Sequence, residues 1–141
     1  MGKKRIVTSG GEEGGVKASS GKTSRKRVTA GRLYVQSTYN NTTVTLTDTT
    51  GNTLMWSSSG SLGFKGAKKG TPFAASKVGE LLAEKAQTIG ISEIDVVISG
   101  VGAGREGAVR AFTSKGIALN SIKDVTPIPH NGPRPPKPRR V

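Results

Sequence analysis

The sequence predicts an α/β domain, a mixed five-stranded sheet with two crossover helices, carrying a disordered basic arm at each end. Two observations lead there. Strand and helix signals follow one another as three strands, then helix, strand, helix, strand, an order that places the two late strands beside the early ones through helical crossovers. Charge divides along the same line. Residues 1–32 hold nine basic and two acidic residues, residues 33–126 nine and seven, and residues 127–141 four and none. A near-neutral domain, residues 32–126, is therefore expected between a basic Gly/Ser-rich arm, residues 1–31, and a proline-rich basic arm, residues 127–141.

Each element has a local cause. Leu33–Tyr39 and Thr42–Thr47 are rich in β-branched and aromatic residues, and Asn40-Asn41 between them marks a hairpin turn. Asp48–Asn52 is a second turn, after which Thr53–Ser58 resumes a strand. Gly60–Gly70 carries four glycines with Lys65, Lys68 and Lys69, which predicts a loop. Thr71-Pro72 starts a helix, because threonine caps free N–H groups and proline at the first position loses no hydrogen bond. Ala75, Val78, Leu82 and Ala86 then recur at helical spacing to about Thr88, and Gly90 supplies the stop. Ile94–Ile98 reads as a buried strand, Arg105–Lys115 as a second helix ended by Gly116, and Ile117–Val125 as the last strand.

The arms lack anything to bury. The first scatters Gly10, Gly11, Gly14 and Gly15 among lysines and arginines without apolar period, so it should be disordered when free. The second holds six of the seven prolines beside Arg134, Lys137, Arg139 and Arg140, which favours extended geometry and excludes a helix.

Composition excludes several function classes. A net charge of +13 on 141 residues makes nucleic acid the default partner. With no cysteine there is no thiolate nucleophile, disulfide, iron–sulfur cluster or zinc ribbon, and one histidine makes no metal cluster, so no cofactor is expected. No apolar run approaches the roughly twenty residues of a membrane span. The chain reads as soluble and intracellular, with no membrane and no small-molecule substrate.

Gly102-Ala103-Gly104-Arg105-Glu106-Gly107 is a literal G-x-G-x-x-G between a strand and a helix, with Asp124 at the spacing of a ribose-binding acid. Read alone it fits a dinucleotide, a plain turn, or a phosphate site made by Arg105 and helix N–H groups. Against the dinucleotide stand its place as the last βα unit and the extra charge of Arg105. Asp48, Asp95 and Asp124 are the candidates for a metal-dependent hydrolytic site, and His130 in the tail has no rigid element to orient it as a base. The stronger constellation is Gly63–Pro72, three lysines on a glycine-rich loop just before a helix start, where cationic side chains and free N–H groups both favour a phosphate backbone. Its alternative is a solvated basic loop with Phe64 tucked into the core. Tyr39, Asn40 and Asn41 at a hairpin tip suit a sugar or base edge.

Tyr39-Asn40-Asn41-Thr42, Trp56-Ser57-Ser58, Gly63-Phe64-Lys65-Gly66, Thr71-Pro72-Phe73-Ala74-Ala75, Gly104-Arg105-Glu106 and the tail Asp124–Gly132 with Arg134-Pro135-Pro136 together resemble the bacterial type of the small-subunit ribosomal protein eleven family. The likeness runs from about Gly31 to Val141 and leaves the first thirty residues poorly matched. It implies a ribonuclease H-like fold without catalysis, on the platform of the small subunit in the cytoplasmic ribosome. There the chain would bridge rRNA helices near the cleft holding the Shine–Dalgarno duplex of the mRNA, and touch ribosomal proteins seven and eighteen. The family usually has proline where Val101 and Ala103 stand, so the glycine loop should be less rigid here, and it usually has cysteine at Pro133 and lysine at Pro138, which bears on the path of the tail more than on its target. The expected RNA contacts are Arg25, Lys26 and Arg27, Asn40 and Asn41, Lys65, Lys68 and Lys69, Arg105 and Arg110, and His130, Asn131, Gly132, Arg134, Lys137, Arg139 and Arg140 of the tail. The alternatives are a nucleotide-binding α/β enzyme using Gly102–Gly107, and a free-standing RNA chaperone.

Overall fold

The computed structural model describes residues 27–140. Strands β1 (Ala30–Ser37), β2 (Thr42–Asp48) and β3 (Thr53–Ser58) form an antiparallel meander; α1 (Pro72–Ile89), β4 (Glu93–Gly100), α2 (Arg105–Thr113) and β5 (Ala118–Asp124) follow. The strand order is β3-β2-β1-β4-β5, with β4 parallel to β1 and β5 parallel to β4. This is the mixed five-stranded sheet with two crossover helices that the order of the elements predicts.

Both helices pack on one face of the sheet and on each other. Alternation along β1 and β2 sends Leu33, Val35, Val44 and Leu46 inward, and β4 adds Ile94, Val96 and Ile98. They meet Ala75, Val78, Leu82, Ala83 and Ala86 of α1 and Ala108, Val109 and Phe112 of α2 in one core. The seam between the helices is narrow because its residues are small. A Cβ on Gly79 of α1 would overlap the carbonyl oxygen of Ala108 on α2, so only glycine allows the approach. Phe112 of α2, fully buried, is part of the same core.

The predicted caps form. Thr71 Oγ1 accepts from the N–H of Ala74 at 3.3 Å, and Gly90, with φ of 100°, closes α1 by donating to Ala86 and Gln87. Several boundaries differ. The first strand stops at Ser37, because Thr38 and Asn41 exchange hydrogen bonds that close the turn and leave Tyr39 at its tip. The Gly60–Gly70 segment is not all loop: Gly66–Gly70 winds into a 3-10 turn leading into Thr71. The strand expected at Ile94–Ile98 runs from Glu93 to Gly100, since it pairs with β1 along its whole length. The second helix ends at Thr113, not Lys115. The hydroxyls of Thr113 and Ser114 donate to the carbonyls of Val109 and Ala111, and Gly116, with φ of 90°, donates to Thr113.

The arms leave from opposite ends. Before β1 the carbonyl of Thr29 accepts from the N–H groups of Ser92 and Glu93, which fixes the entry of the chain beside β4. After β5, Thr126 holds Gly100 through its hydroxyl, and residues 127–140 form neither helix nor strand and are exposed. The disorder expected of residues 1–26 lies outside the described residues.

Candidate nucleic-acid interface

Because β1, β4 and β5 are parallel, their C-terminal ends share one edge of the domain, the edge where open α/β sheets bind ligands. The hairpin tip Thr38–Asn41, the lysine loop, the Gly102–Gly104 turn and the root of the C-terminal arm all gather there. The clasp is Ser59, a fully buried hydroxyl from beyond the end of β3. Its Oγ accepts from the N–H of Thr42 at 3.0 Å and lies within donating distance of Asn41 Oδ1 at 3.1 Å and the Lys69 carbonyl at 2.8 Å. Gly70 completes the contact: a Cβ there would overlap the carbonyl of Tyr39.

This clasp sorts the predicted residues. Asn41 is used internally, its Nδ2 donating to Thr43 Oγ1 at 3.3 Å and its Oδ1 facing Ser59, so it positions the tip. Asn40 and Tyr39 point outward, Tyr39 78 % exposed. Lys65 and Lys68 are exposed and Lys69 half-buried, and among the described residues no carboxylate forms an ion pair with any of them. The first turn of α1 carries no acid, so its N-terminal dipole adds to the positive field of the loop. Phe64 is half-buried, not a core residue; its ring meets the exposed Phe73 edge-on at 6.1 Å, and Lys77 lies 5.5 Å from the Phe73 ring centre.

The G-x-G-x-x-G segment has a different cause from a dinucleotide turn. A Cβ on Gly102 would overlap the Thr38 carbonyl, one on Gly104 would overlap Thr42 Oγ1, and one on Gly107 would lie 2.9 Å from the Pro72 carbonyl. The glycines admit the chain's own hairpin and helix. Asp124 is likewise engaged: it accepts from the Thr126 hydroxyl at 2.6 Å, from the Thr126 N–H at 3.0 Å and from the Arg105 guanidinium. These donors, the hydroxyl first, hold its carboxyl at about 2, well below the usual range. Arg105 therefore braces α2 against the end of β5, with part of its charge matched. Arg110 lies further along α2, exposed, and pairs with Glu106 at 3.2 Å across one helical turn.

The C-terminal arm carries its cations free of the domain. It bends at His130 and Asn131, where Asn131 takes φ of 59°, and Gly132, Arg134, Lys137, Arg139 and Arg140 are exposed beyond the bend. Arg27 is exposed at the opposite end of the sheet, and Arg25 and Lys26 lie outside the described residues.

The three acids weighed for hydrolysis do not meet. Asp48 closes the β2–β3 turn, accepting from Thr50 Oγ1 at 2.7 Å and the N–H groups of Thr50 and Asn52; these bonds, the Thr50 hydroxyl foremost, lower it to about 2. Asp95 faces the other side of the sheet and accepts from Ser121 Oγ at 2.8 Å. Among the described residues no three acidic or histidine side chains gather to hold a metal.

Sequence reasoning passed over the sheet face away from the helices. One row across it is Trp56, Thr45, Tyr34, Val97 and Lys123, each directly opposite the next. Beside it Arg32 stands opposite Asp95, and a shallow hollow of about 480 Å³ opens between Arg32, Tyr34, Val97 and Lys123. The signal was present as the alternation Leu33-Tyr34-Val35-Gln36, which puts aromatic and polar residues on the face opposite the core.

A family model described as ribosomal protein S11 matches residues 31–140. A relative from Solibacter usitatus (strain Ellin6076), named small ribosomal subunit protein uS11, is 54% identical over 127 residues, covering 90% of this chain and 94% of the relative. One of the same name from Acaryochloris marina (strain MBIC 11017) is 54% identical over 125 residues, covering 89% and 96%.

Proposed function

Since the chain belongs to the ribosomal protein S11 family and so is a structural component of the small ribosomal subunit and not an enzyme, we propose that it bridges rRNA helices on the subunit platform. The observation that carries this reading is the placement of cations at opposite ends of one rigid sheet. Arg27 stands before β1, while the lysine loop and the C-terminal arm share the far edge, and the eight residues of β1 separate them by about 26 Å. Arg27 and the basic far edge, held that far apart, suit two RNA segments, not one continuous groove. The lysine loop offers unpaired ammonium groups and a helix N-terminus to a phosphate backbone. The prolines limit the conformations of the C-terminal arm before binding, so less entropy is lost when Arg134, Lys137, Arg139 and Arg140 are laid along phosphates. Asn40 and Tyr39 at the exposed tip face a sugar or base edge. The same end of the sheet would lie toward the Shine–Dalgarno cleft, with ribosomal proteins seven and eighteen as neighbours.

The absence of cysteine makes a direct test available. Arg27→Cys and Arg134→Cys, each carrying a tethered iron chelate and assembled into small subunits, should cleave two different rRNA helices. Cleavage of one and the same helix from both positions would refute bridging. Recovery of the tagged chain outside the subunit fraction would favour the free chaperone instead.

A further inference from the structure

We infer that the open face of the sheet is a second RNA site, one that takes an unpaired strand by stacking bases on Tyr34 and Trp56. The inference rests on the proposed rRNA-binding role and adds to it a face apart from the lysine loop and from residues 127–140. Trp56 is 62 % exposed although it is the largest side chain in the molecule, and it sits in mid-strand, where an indole turned to water gains nothing for the fold. Tyr34 lies in the same row two strands away, with only Thr45 between them, so the two rings are about 10 Å apart on one surface. That spacing suits two splayed bases of one strand. The surface is flat, so it cannot reach bases paired inside a duplex.

Charge completes the fit. Arg32 flanks Tyr34 on its own strand, and Lys123 ends the row on β5, giving a cation on either side of the aromatic pair's inner ring. Asp95 and Glu93, the carboxylates on this side of β4, accept from Ser121 Oγ and Asn120 Nδ2, and among the described residues neither forms an ion pair with Arg32 or Lys123. Two cations around an exposed indole and a half-buried phenol ring match a phosphodiester strand better than an apolar protein surface. The neighbouring row, Ser58, Thr43, Gln36 and Ser99, is polar and leads toward the lysine-loop edge, so a strand leaving the rings has hydrogen-bonding groups along its way.

Trp56 is the only tryptophan, so its emission reports on this face alone. The full-length protein would be titrated with a single-stranded oligoadenylate and with an RNA duplex of equal phosphate count, following Trp56 emission together with the anisotropy of end-labelled RNA. The single strand should quench Trp56 and the duplex should not. Tyr34→Ala should weaken single-strand binding about tenfold and leave duplex binding unchanged. Lys123→Glu, at an exposed position that does not touch the core, should weaken the single strand likewise and guards against a folding defect in the Tyr34 variant. Binding of both RNAs with Trp56 emission unmoved would overturn the inference and leave the proposed function standing. Emission shifted only by small-subunit proteins freed of RNA would assign the face to a protein and also overturn it. Failure to bind either RNA, with the chain absent from small subunits, would bring down the functional reading as well.

Discussion

The seam between α1 and α2 and the loop edge of the sheet are both built on glycine, yet they answer to different demands. At the seam Gly79 faces the backbone of Ala108, and everything around it is buried and apolar. At the loop edge Gly70 and Gly102 face the carbonyls of Tyr39 and Thr38, and the close approach holds exposed lysines and an exposed hairpin tip in place. One region uses its close packing to fill the core, the other to aim groups at solvent. A glycine-rich motif beside a helix start is therefore not by itself a ligand site. What matters is what a Cβ would strike, and here it strikes the protein.

The seam is where substitution should cost the fold most. Phe112→Ala should destabilise by about 3–5 kcal/mol, the range for removing a fully buried ring, and Gly79→Val by about 1–3 kcal/mol or more by forcing the helices apart. Urea unfolding would measure both, and a change under about 1 kcal/mol at Phe112 would contradict the core described.

At the loop edge the expected loss is in binding, not in folding. Deleting residues 128–141 should leave stability within about 0.5 kcal/mol of the parent, since residues 128–140 are exposed, while the truncated chain loses to the full-length one in competition for small subunits. Lys65→Ala, Lys68→Ala and Lys69→Ala combined should flatten the slope of log affinity against log salt by about 0.9 for each phosphate no longer neutralised. An unchanged slope would make the loop a solvated surface.

The smallest effect is with pH. Asp48 and Asp124 are held at about 2 when folded, against about 3.9 in an unfolded chain, so their contribution is complete above the unfolded value and disappears as pH falls through the folded one. Melting temperature should decline between about pH 4 and pH 2, and Asp48→Asn with Asp124→Asn should flatten that decline while lowering stability at neutral pH. A decline of the same steepness in the double variant would assign the acid sensitivity elsewhere.

Much of the fold is legible because its causes are local. Thr53–Ser58, the Thr71-Pro72 start and the Gly90 stop of α1 rest on neighbours within one or two turns, and the structure keeps them where residue type puts them. The ends of β4 and α2 were less legible. Strand length depends on a partner distant in sequence, and the last turn of α2 was decided by hydroxyls competing for carbonyls. In the candidate interface the lysines and the arm's arginines stand out as charge on segments with nothing to bury, whereas the clasping role of Asn41 depends on Ser59, eighteen residues away.

Element order, the helix caps and the separation of a near-neutral domain from basic ends follow from residue type alone, since propensity, capping and charge act over a few residues. Only the folded chain brings the hairpin tip, lysine loop, glycine turn and C-terminal arm to one edge, because that follows from β4 and β5 lying parallel to β1. Only there does Arg105 brace Asp124, and do Tyr34, Trp56 and Lys123 share an open face. Such meetings depend on strand order and register, which arise from burying the whole core at once and are written in no single segment.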